Sequence, residues 1–235
     1  MPCVKNGQIS VDKSRCAACL GCVEHCYYGA RKASCTTMGA GEVFDAVMRD
    51  EVFFRQTGGG LTVSGGEPFC QSAFTAELLR LAKSAGIHTA VETAGNVPYP
   101  ALMAAIPYTD LFLYDLKAID DQIHRRWTQV SNKQILQNFE RLCRTKIEVI
   151  VRVPLLPGIN DGRAFDAIVD YAASFGHLTE LHILPYHTLG SDKYTHLGMP
   201  YPLGGLREEN SPEIARCKRY AQAKGFRVSV GGAGF

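Results

Sequence analysis

The chain has 235 residues, of which 46% are hydrophobic and 20% are charged, and its formal net charge is +2. This balance predicts a globular protein long enough to bury a core, and it argues against nucleic acid or an anionic membrane as a partner. The sequence holds no run of 18 apolar residues and no apolar stretch near its start, so we expect no membrane span, no signal peptide and a cytoplasmic location.

The first 38 residues are rich in cysteine, and we expect them to form a ferredoxin-like iron–sulfur segment. The spacing C-x2-C-x2-C-x3-C is the bacterial ferredoxin pattern for a [4Fe–4S] cluster, and it is formed by Cys16, Cys19, Cys22 and Cys26. Tyr27 stands where a proline usually follows, and a zinc site is the alternative. Because the fourth cysteine of such a run can ligate a second cluster, the fourth ligand is left open among Cys35, Cys3 and a cysteine outside the chain.

From residue 39 onward, strand and helix patterns alternate. A helix is predicted near 42–54, and a short apolar strand lies inside the glycine-rich stretch 57–68. Further strands are predicted at 87–93, 110–117, 147–153, 178–184 and 226–230. Helices are predicted at 71–85, 100–105, 120–126, 133–144, 164–175 and 212–224, with a long loop after residue 187. Alternating units of this kind form parallel sheets, so residues 39–235 are expected to form a partial or complete parallel α/β barrel.

Polar residues stand at the ends of five predicted strands. In parallel α/β folds, ligands bind at the carboxyl ends of the strands. These ends carry Ser64 to Glu67, Glu92 and Thr93, Asp115 and Lys117, Arg152, and His187. Gly65 and Gly66 would let the backbone approach a ligand closely, and Glu67 suits a cationic amine. The alternative for this stretch is a glycine-rich turn with a solvated glutamate. Taken together, the five strand ends predict one binding cavity.

Most of the histidines are not expected to take part in chemistry. His177, His182 and His187 are five residues apart, and an odd offset along a strand points to opposite faces, so they do not form one metal site. We expect His88 and His124 to lie at the surface or at a helix end.

Five motifs, in this order, carry a resemblance to a known family. They are GGGLTVSGGEP at 58–68, GIHTAVETAG at 86–95, DLFLYDLK at 110–117, VRVPLLPG at 151–158 and LPYHTLGSDKY at 184–194. The chain resembles the glycyl-radical-enzyme activating enzymes, the pyruvate formate-lyase activating enzyme group of the radical SAM superfamily. The resemblance implies that S-adenosylmethionine binds a [4Fe–4S] cluster held by a C-x3-C-x2-C triad. Reductive cleavage then gives a 5′-deoxyadenosyl radical, which takes a hydrogen from a glycine of the partner enzyme.

The resemblance also implies roles for individual residues and for partners. Gly65, Gly66 and Glu67 would contact the methionine amino group of the cosubstrate, and Glu92 and Thr93 would form part of a cation site near it. Asp115, Lys117, Arg152 and His187 would face the cosubstrate, including its carboxylate and its ribose side. The implied partners are a glycyl radical enzyme such as pyruvate formate-lyase and a flavodoxin or ferredoxin-type electron donor, in an anaerobic cytoplasm.

One departure from the family is large. No C-x3-C-x2-C motif occurs in the 235 residues, and residues 4–15 resemble the linker between the two cysteine repeats of a ferredoxin module. We therefore expect a truncated chain that lacks the first barrel strand and the catalytic cluster ligands, and that is inactive alone. Two alternatives stay open. One is an iron–sulfur electron-transfer or binding module without radical chemistry, and the other is a zinc-stabilised barrel that binds a phosphorylated metabolite through Gly58 to Gly60.

Overall fold

A computed structural model describes residues 2–5, 8–11, 13–33, 35–197, 199–206 and 211–231. The chain divides into two compact units, Met1–Gly39 and Ala40–Phe235. Among the described residues, no helix is both long enough and apolar enough to cross a membrane.

The unit Met1–Gly39 contains a hairpin and one short helix. Strands β1 (Pro2–Lys5) and β2 (Gln8–Val11) pair antiparallel. The two residues between them in sequence are Asn-Gly, a pair common in two-residue hairpin loops, and they lie outside the described residues. The helix α1 (Gly21–Glu24) follows. This hairpin was not predicted from the sequence, because strands of four residues are too short to show a clear period.

The unit Ala40–Phe235 is a parallel α/β fold. Its strands are β3 (Gly60–Val63), β4 (His88–Thr93), β5 (Leu111–Asp115), β6 (Glu148–Leu155), β7 (Glu180–Pro185) and β8 (Arg227–Val230). Its helices are α2 (Ala40–Val47), α3 (Glu51–Thr57), α4 (Ser72–Ser84), α5 (Tyr99–Met103), α6 (Asp121–Thr128), α7 (Lys133–Cys143), α8 (Gly162–Ala173), α9 (Ser191–Leu197) and α10 (Ser211–Ala223).

The six strands follow one another across the sheet in chain order. Each strand pairs parallel with the next, from β3 through to β8. Sequential parallel pairing is the arrangement of a barrel wall, and β3 and β8 are the two edges of the sheet in the described part of the chain. The predicted parallel α/β architecture is confirmed.

Two predicted segments differ from the structure. The helix expected near 42–54 is two helices, α2 and α3, because a 3-10 turn at Met48–Asp50 separates them. The loop expected after residue 187 contains the helix α9, which has Asp192 in its first turn. An acidic residue there is favourable because the helix N-terminus carries a partial positive charge.

The core lies between one face of the sheet and the helices. Phe112 and Tyr114 on β5 are fully buried, and their rings lie 6.4 Å from Phe69 and 5.1 Å from Phe139 of α7, respectively. Burying each such side chain contributes about 1.5–3 kcal/mol. Because side chains alternate along a strand, Asp115 projects from the opposite face, where it is only partly buried.

Candidate functional site

The carboxyl ends of β3 to β6 carry a connected group of polar side chains. We call this group the strand-end cluster: Ser64, Glu67, Glu92, Thr93, Asp115, Lys117 and Arg152. The register of the sheet brings part of it together, since Asp115 is level with Arg152 and Glu92 is level with Leu113. Four of the five predicted strand ends therefore meet at the carboxyl-terminal end of the sheet.

Glu92 lies at the centre of one set of contacts. The Ser64 hydroxyl donates a hydrogen bond of 2.5 Å to one oxygen of the Glu92 carboxylate, and the other oxygen forms an ion pair with Arg152. The Arg152 and Glu92 side chains are 17% and 27% exposed, so solvent screens this pair less than it screens a surface pair. The ends of β3, β4 and β6 are thus tied together through one carboxylate.

Asp115 is close to two cations but forms a hydrogen bond with neither. Its carboxylate oxygens lie 3.7 Å from Arg152 Nε and 3.8 Å from Lys117 Nζ, beyond hydrogen-bond range. Within the described residues, Asp115 Oδ1 and Arg152 Nε are buried and have no hydrogen-bond partner. Burial raises the pKa of Asp115 above its ordinary value despite the opposing charges of Lys117 and Arg152. One buried acceptor and one buried donor are therefore available to a bound molecule.

Glu67 fastens the end of β3 to the end of β4. Its carboxylate accepts hydrogen bonds from the Thr93 hydroxyl at 2.8 and 2.9 Å, from Ala94 N–H at 3.2 Å and from Phe69 N–H at 3.3 Å. Thr93 is 2% exposed and in turn accepts a hydrogen bond from Gly95 N–H. The predicted contact of Glu67 with an amine stays a prediction, and the structure adds a structural role for the same carboxylate.

The glycines of the 57–68 stretch divide into two groups. Gly65 has φ +126°, a conformation that favours glycine, and no atom would lie within 4 Å of a Cβ added at Gly65 or Gly66. A Cβ on Gly60 would lie 2.0 Å from the His88 carbonyl oxygen, and Gly58, at φ +68°, is the C-cap of α3. Gly58 and Gly60 therefore have structural explanations, which weakens the alternative of a phosphate-binding loop at these positions.

His187 is not brought into the strand-end cluster by any contact in the described part of the chain. Its side chain is exposed just after β7, and no hydrogen bond or ion pair involves it there. His124 corrects an expectation, because it is 3% exposed rather than a surface residue. It lies in the middle of α6 and is covered by neighbouring segments. The sequence around His124 does not show which segments pack against it.

The predicted cluster cysteines are present as free thiols. Cys16, Cys19 and Cys35 are exposed, and Cys22 and Cys26 are partly buried. No group of three or more His, Cys, Asp or Glu side chains that could hold a metal ion was found among the described residues, so the ligand set stays a prediction.

Two residues of the cysteine loop have left-handed backbone conformations. Ala18 (φ +51°) and Leu20 (φ +59°) lie on either side of Cys19 in the left-handed region, which costs a non-glycine residue about 1–2 kcal/mol. Residues in such conformations concentrate where a ligand is held. The strained backbone around Cys19 therefore coincides with the predicted iron–sulfur segment, whose ligand set stays a prediction.

Buried asparagines that the sequence analysis missed hold the loops of the site. Asn138 Nδ2 donates to the carbonyls of Gly95 and Val97, at 2.8 and 2.7 Å. Asn160 Nδ2 donates to the carbonyls of Lys117 and Pro154, at 2.8 and 2.7 Å. Both asparagines are at most 2% exposed. A signal existed for Asn138, because it lies on the same face of α7 as the apolar residues 135, 139 and 142.

The net charge of the strand-end cluster suits a ligand that carries both signs. If all its groups are ionised, Glu67, Glu92 and Asp115 outnumber Lys117 and Arg152 by one. An ammonium or sulfonium centre is attracted by the carboxylates, and a carboxylate is attracted by the two cations. The arrangement is therefore suited to an amino acid with an additional positive charge.

Comparison with known proteins gives one family. The sequence model described as the Radical SAM superfamily matches residues 19–171. The chain is 34% identical to the (2S)-3-sulfopropanediol dehydratase activating enzyme of Klebsiella oxytoca, over 94% of this chain and 72% of that protein. It is 41% identical to the isethionate sulfite-lyase activating enzyme of Oleidesulfovibrio alaskensis, over 83% of this chain and 64% of that protein. With the pyruvate formate-lyase 1-activating enzyme of Escherichia coli, the identity is 31% over 88% of each.

Solved structures agree with this comparison. A domain of a pyruvate-formate lyase-activating enzyme from Bacteroides vulgatus superposes with a TM-score of 0.63 at 26% identity, covering 74% of this chain and 99% of that one. Streptococcus suis SuiB bound to S-adenosylmethionine also gives a TM-score of 0.63, at 12% identity, covering 86% of this chain and 45% of that one. The second likeness shows a shared fold alone.

Proposed function

Because the chain belongs to the glycyl-radical-enzyme activating enzymes of the radical SAM superfamily, we propose that its strand-end cluster binds S-adenosylmethionine. The whole enzyme would use this cosubstrate to generate a radical on a glycine of a partner enzyme. The observation that carries the proposal is that Glu92, Asp115 and Arg152 lie together at the carboxyl ends of β4, β5 and β6.

The unpartnered atoms of the cluster match the methionine end of the cosubstrate. Asp115 Oδ1 is a buried acceptor that an ammonium group would satisfy, and Arg152 Nε is a buried donor that a carboxylate would satisfy. Lys117 supplies a second cation for the carboxylate. Glu67 remains proposed for the methionine amino group, and Gly65 and Gly66 leave room beside it. Glu92 would add negative charge near the sulfonium. His187 is proposed for the ribose side.

The cysteine segment is proposed to have an auxiliary role. The [4Fe–4S] cluster that would supply the electron for cleavage of the sulfonium is the one implied for a C-x3-C-x2-C triad, a motif that does not occur in the 235 residues. Cys16, Cys19 and Cys22 would hold an auxiliary cluster, with Cys26 and Cys35 as candidates for further ligation. The electron donor would be a flavodoxin or a ferredoxin, and the reaction would take place in the cytoplasm.

Calorimetric titration of the purified chain with S-adenosylmethionine tests the proposal. Lys117→Met should weaken binding about tenfold, since it removes one charge-assisted contact. Lys146→Met is the matched control, because Lys146 is exposed and has no hydrogen bond or ion pair in the described part of the chain. S-adenosylhomocysteine, which lacks the positive charge of the sulfonium, should bind more weakly than S-adenosylmethionine. Equal affinity of the wild type and Lys117→Met would remove the basis of the proposal.

An electron-transfer module without radical chemistry is the second candidate, favoured by the strained cysteine loop around Cys19. It predicts iron and sulfide in the anaerobically reconstituted chain but no heat of binding with S-adenosylmethionine. The two functions are therefore separated by one titration. Detection of 5′-deoxyadenosine after addition of a reductant would exclude the module directly.

A further inference from the structure

A cavity of about 270 Å³ lies beside the strand-end cluster and is not used by the roles described above. Lys117 belongs to both, since it lines the cavity and also lies 3.8 Å from Asp115. The rest of the wall is largely apolar and comes from α6, from the segment after β6 and from the region around α9. Its apolar residues include Ile123, Trp127, Leu156, Ile159 and Leu203.

His124 is the polar group that gives this cavity a chemical preference. It lines the cavity, is 3% exposed, and its Nδ1 lies 2.8 Å from the Val130 carbonyl oxygen. A carbonyl only accepts, so Nδ1 carries the hydrogen, and in the neutral ring Nε2 is an acceptor. No hydrogen bond to Nε2 occurs among the described residues. Nε2 is thus an acceptor on a cavity-lining residue that is 3% exposed, and it can accept a hydrogen bond from a donor on the occupant.

The rim of the cavity points to a protein as the source of that occupant. Trp127 is 44% exposed, and Leu197 and Met199 are 61% and 54% exposed. Met199 lies close to the cavity wall, because Tyr194 lines the cavity and its carbonyl accepts a hydrogen bond of 2.9 Å from Met199 N–H, and Leu197 belongs to the same helix as Tyr194. Exposed apolar residues grouped around a cavity are typical of protein–protein contact sites. A small cosubstrate inside the cavity would leave this rim uncovered.

We propose that the cavity binds one aromatic side chain with an O–H or N–H donor, contributed by the polypeptide whose glycine reacts at the strand-end cluster. The identity of that polypeptide rests on the function proposed above. The ring packs among Trp127 and the aliphatic residues, and its donor bonds His124 Nε2. Because Lys117 lines both sites, the anchored side chain holds the polypeptide next to the cosubstrate.

Trp127 is the only tryptophan of the chain, so its fluorescence reports on the cavity directly. The full chain, free of cluster and cosubstrate, is titrated with the blocked tripeptides Gly-Tyr-Gly and Gly-Phe-Gly, which differ by one hydroxyl, and with adenosine. Both peptides should change the emission, and the tyrosine peptide should bind about three- to tenfold more tightly, as expected for one hydrogen bond.

Two variants separate the hydrogen bond from the fit of the cavity. His124→Phe should bind the two peptides equally, because it removes the acceptor but keeps a ring. Ile159→Phe fills the cavity from the segment after β6, leaves His124 in place, and should weaken both peptides. The proposal is overturned if neither peptide changes the emission, if the phenylalanine peptide binds as tightly to the wild type, or if adenosine binds more tightly than either. None of these readouts needs S-adenosylmethionine, so failure of the proposed function and failure of the peptide site give different results.

Discussion

Replacing Glu67 with glutamine should destabilise the chain even when no cosubstrate is bound. One carboxylate oxygen becomes an NH2 group, so either Ala94 N–H or Phe69 N–H faces a donor in place of its acceptor. A hydrogen bond to a charged group contributes about 1.5–3 kcal/mol. For a chain of this length, 1 kcal/mol corresponds to roughly 2–4 °C in melting temperature. Glu67→Gln should therefore lower the melting temperature by about 3–12 °C.

Thermal unfolding followed by circular dichroism at pH 7 measures this change. Glu148→Gln is the matched control, because the Glu148 side chain is exposed at the start of β6 and forms no hydrogen bond or ion pair in the part of the chain that is described. It makes the same chemical change without removing a contact, and its melting temperature should equal that of the wild type.

The outcome decides between two roles of the same carboxylate. If the only role of Glu67 were to bind a ligand, the ligand-free variant would have the melting temperature of the wild type. That result would refute the reasoning from its hydrogen bonds with Thr93, Ala94 and Phe69. A fall in both melting temperature and S-adenosylmethionine affinity is the expected result, because the carboxylate fixes the strand ends and is proposed to contact the cosubstrate.

Three further substitutions have definite expected effects. Burial raises the pKa of Asp115, so the folded protein holds this proton up to a higher pH than the unfolded chain does, and stability falls as the pH rises through that interval. Asp115→Asn should therefore raise the stability measured by urea unfolding at pH 7 but not near pH 3, and should weaken S-adenosylmethionine binding. Gly95→Ala places a Cβ 1.7 Å from the Tyr114 hydroxyl oxygen at φ +69°, and we expect the free energy of unfolding measured in urea to fall by about 2–5 kcal/mol. Asn160→Asp removes the donors to the Lys117 and Pro154 carbonyls; calorimetry should show weaker cosubstrate binding, and the effect should disappear in a Lys117→Met background.

The local pattern of the sequence was sufficient to predict most of the strands and helices and the parallel α/β architecture. Strands β4 to β8 begin and end within about two residues of their predicted limits, because continuous apolar runs between glycines and polar residues are typical of buried parallel strands. The order of the five motifs was sufficient to predict the family, and the polar residues at strand ends were sufficient to predict a group of polar side chains at the carboxyl ends of β3 to β6. These are properties of short stretches of chain, so they can be read without knowing which stretches meet.

Contacts between distant residues were decided by the tertiary structure alone. The bonds of Glu67 to Thr93, of Arg152 to Glu92 and of Asn160 to Lys117 join residues 26, 60 and 43 positions apart. They depend on the register of four parallel strands, and a shift of one residue would turn each side chain to the opposite face. The burial of His124 likewise follows from the packing of α6 against other segments. The sequence by itself thus determined which chemical groups the site contains, whereas only the fold decided which of them are already paired and which are left for a ligand.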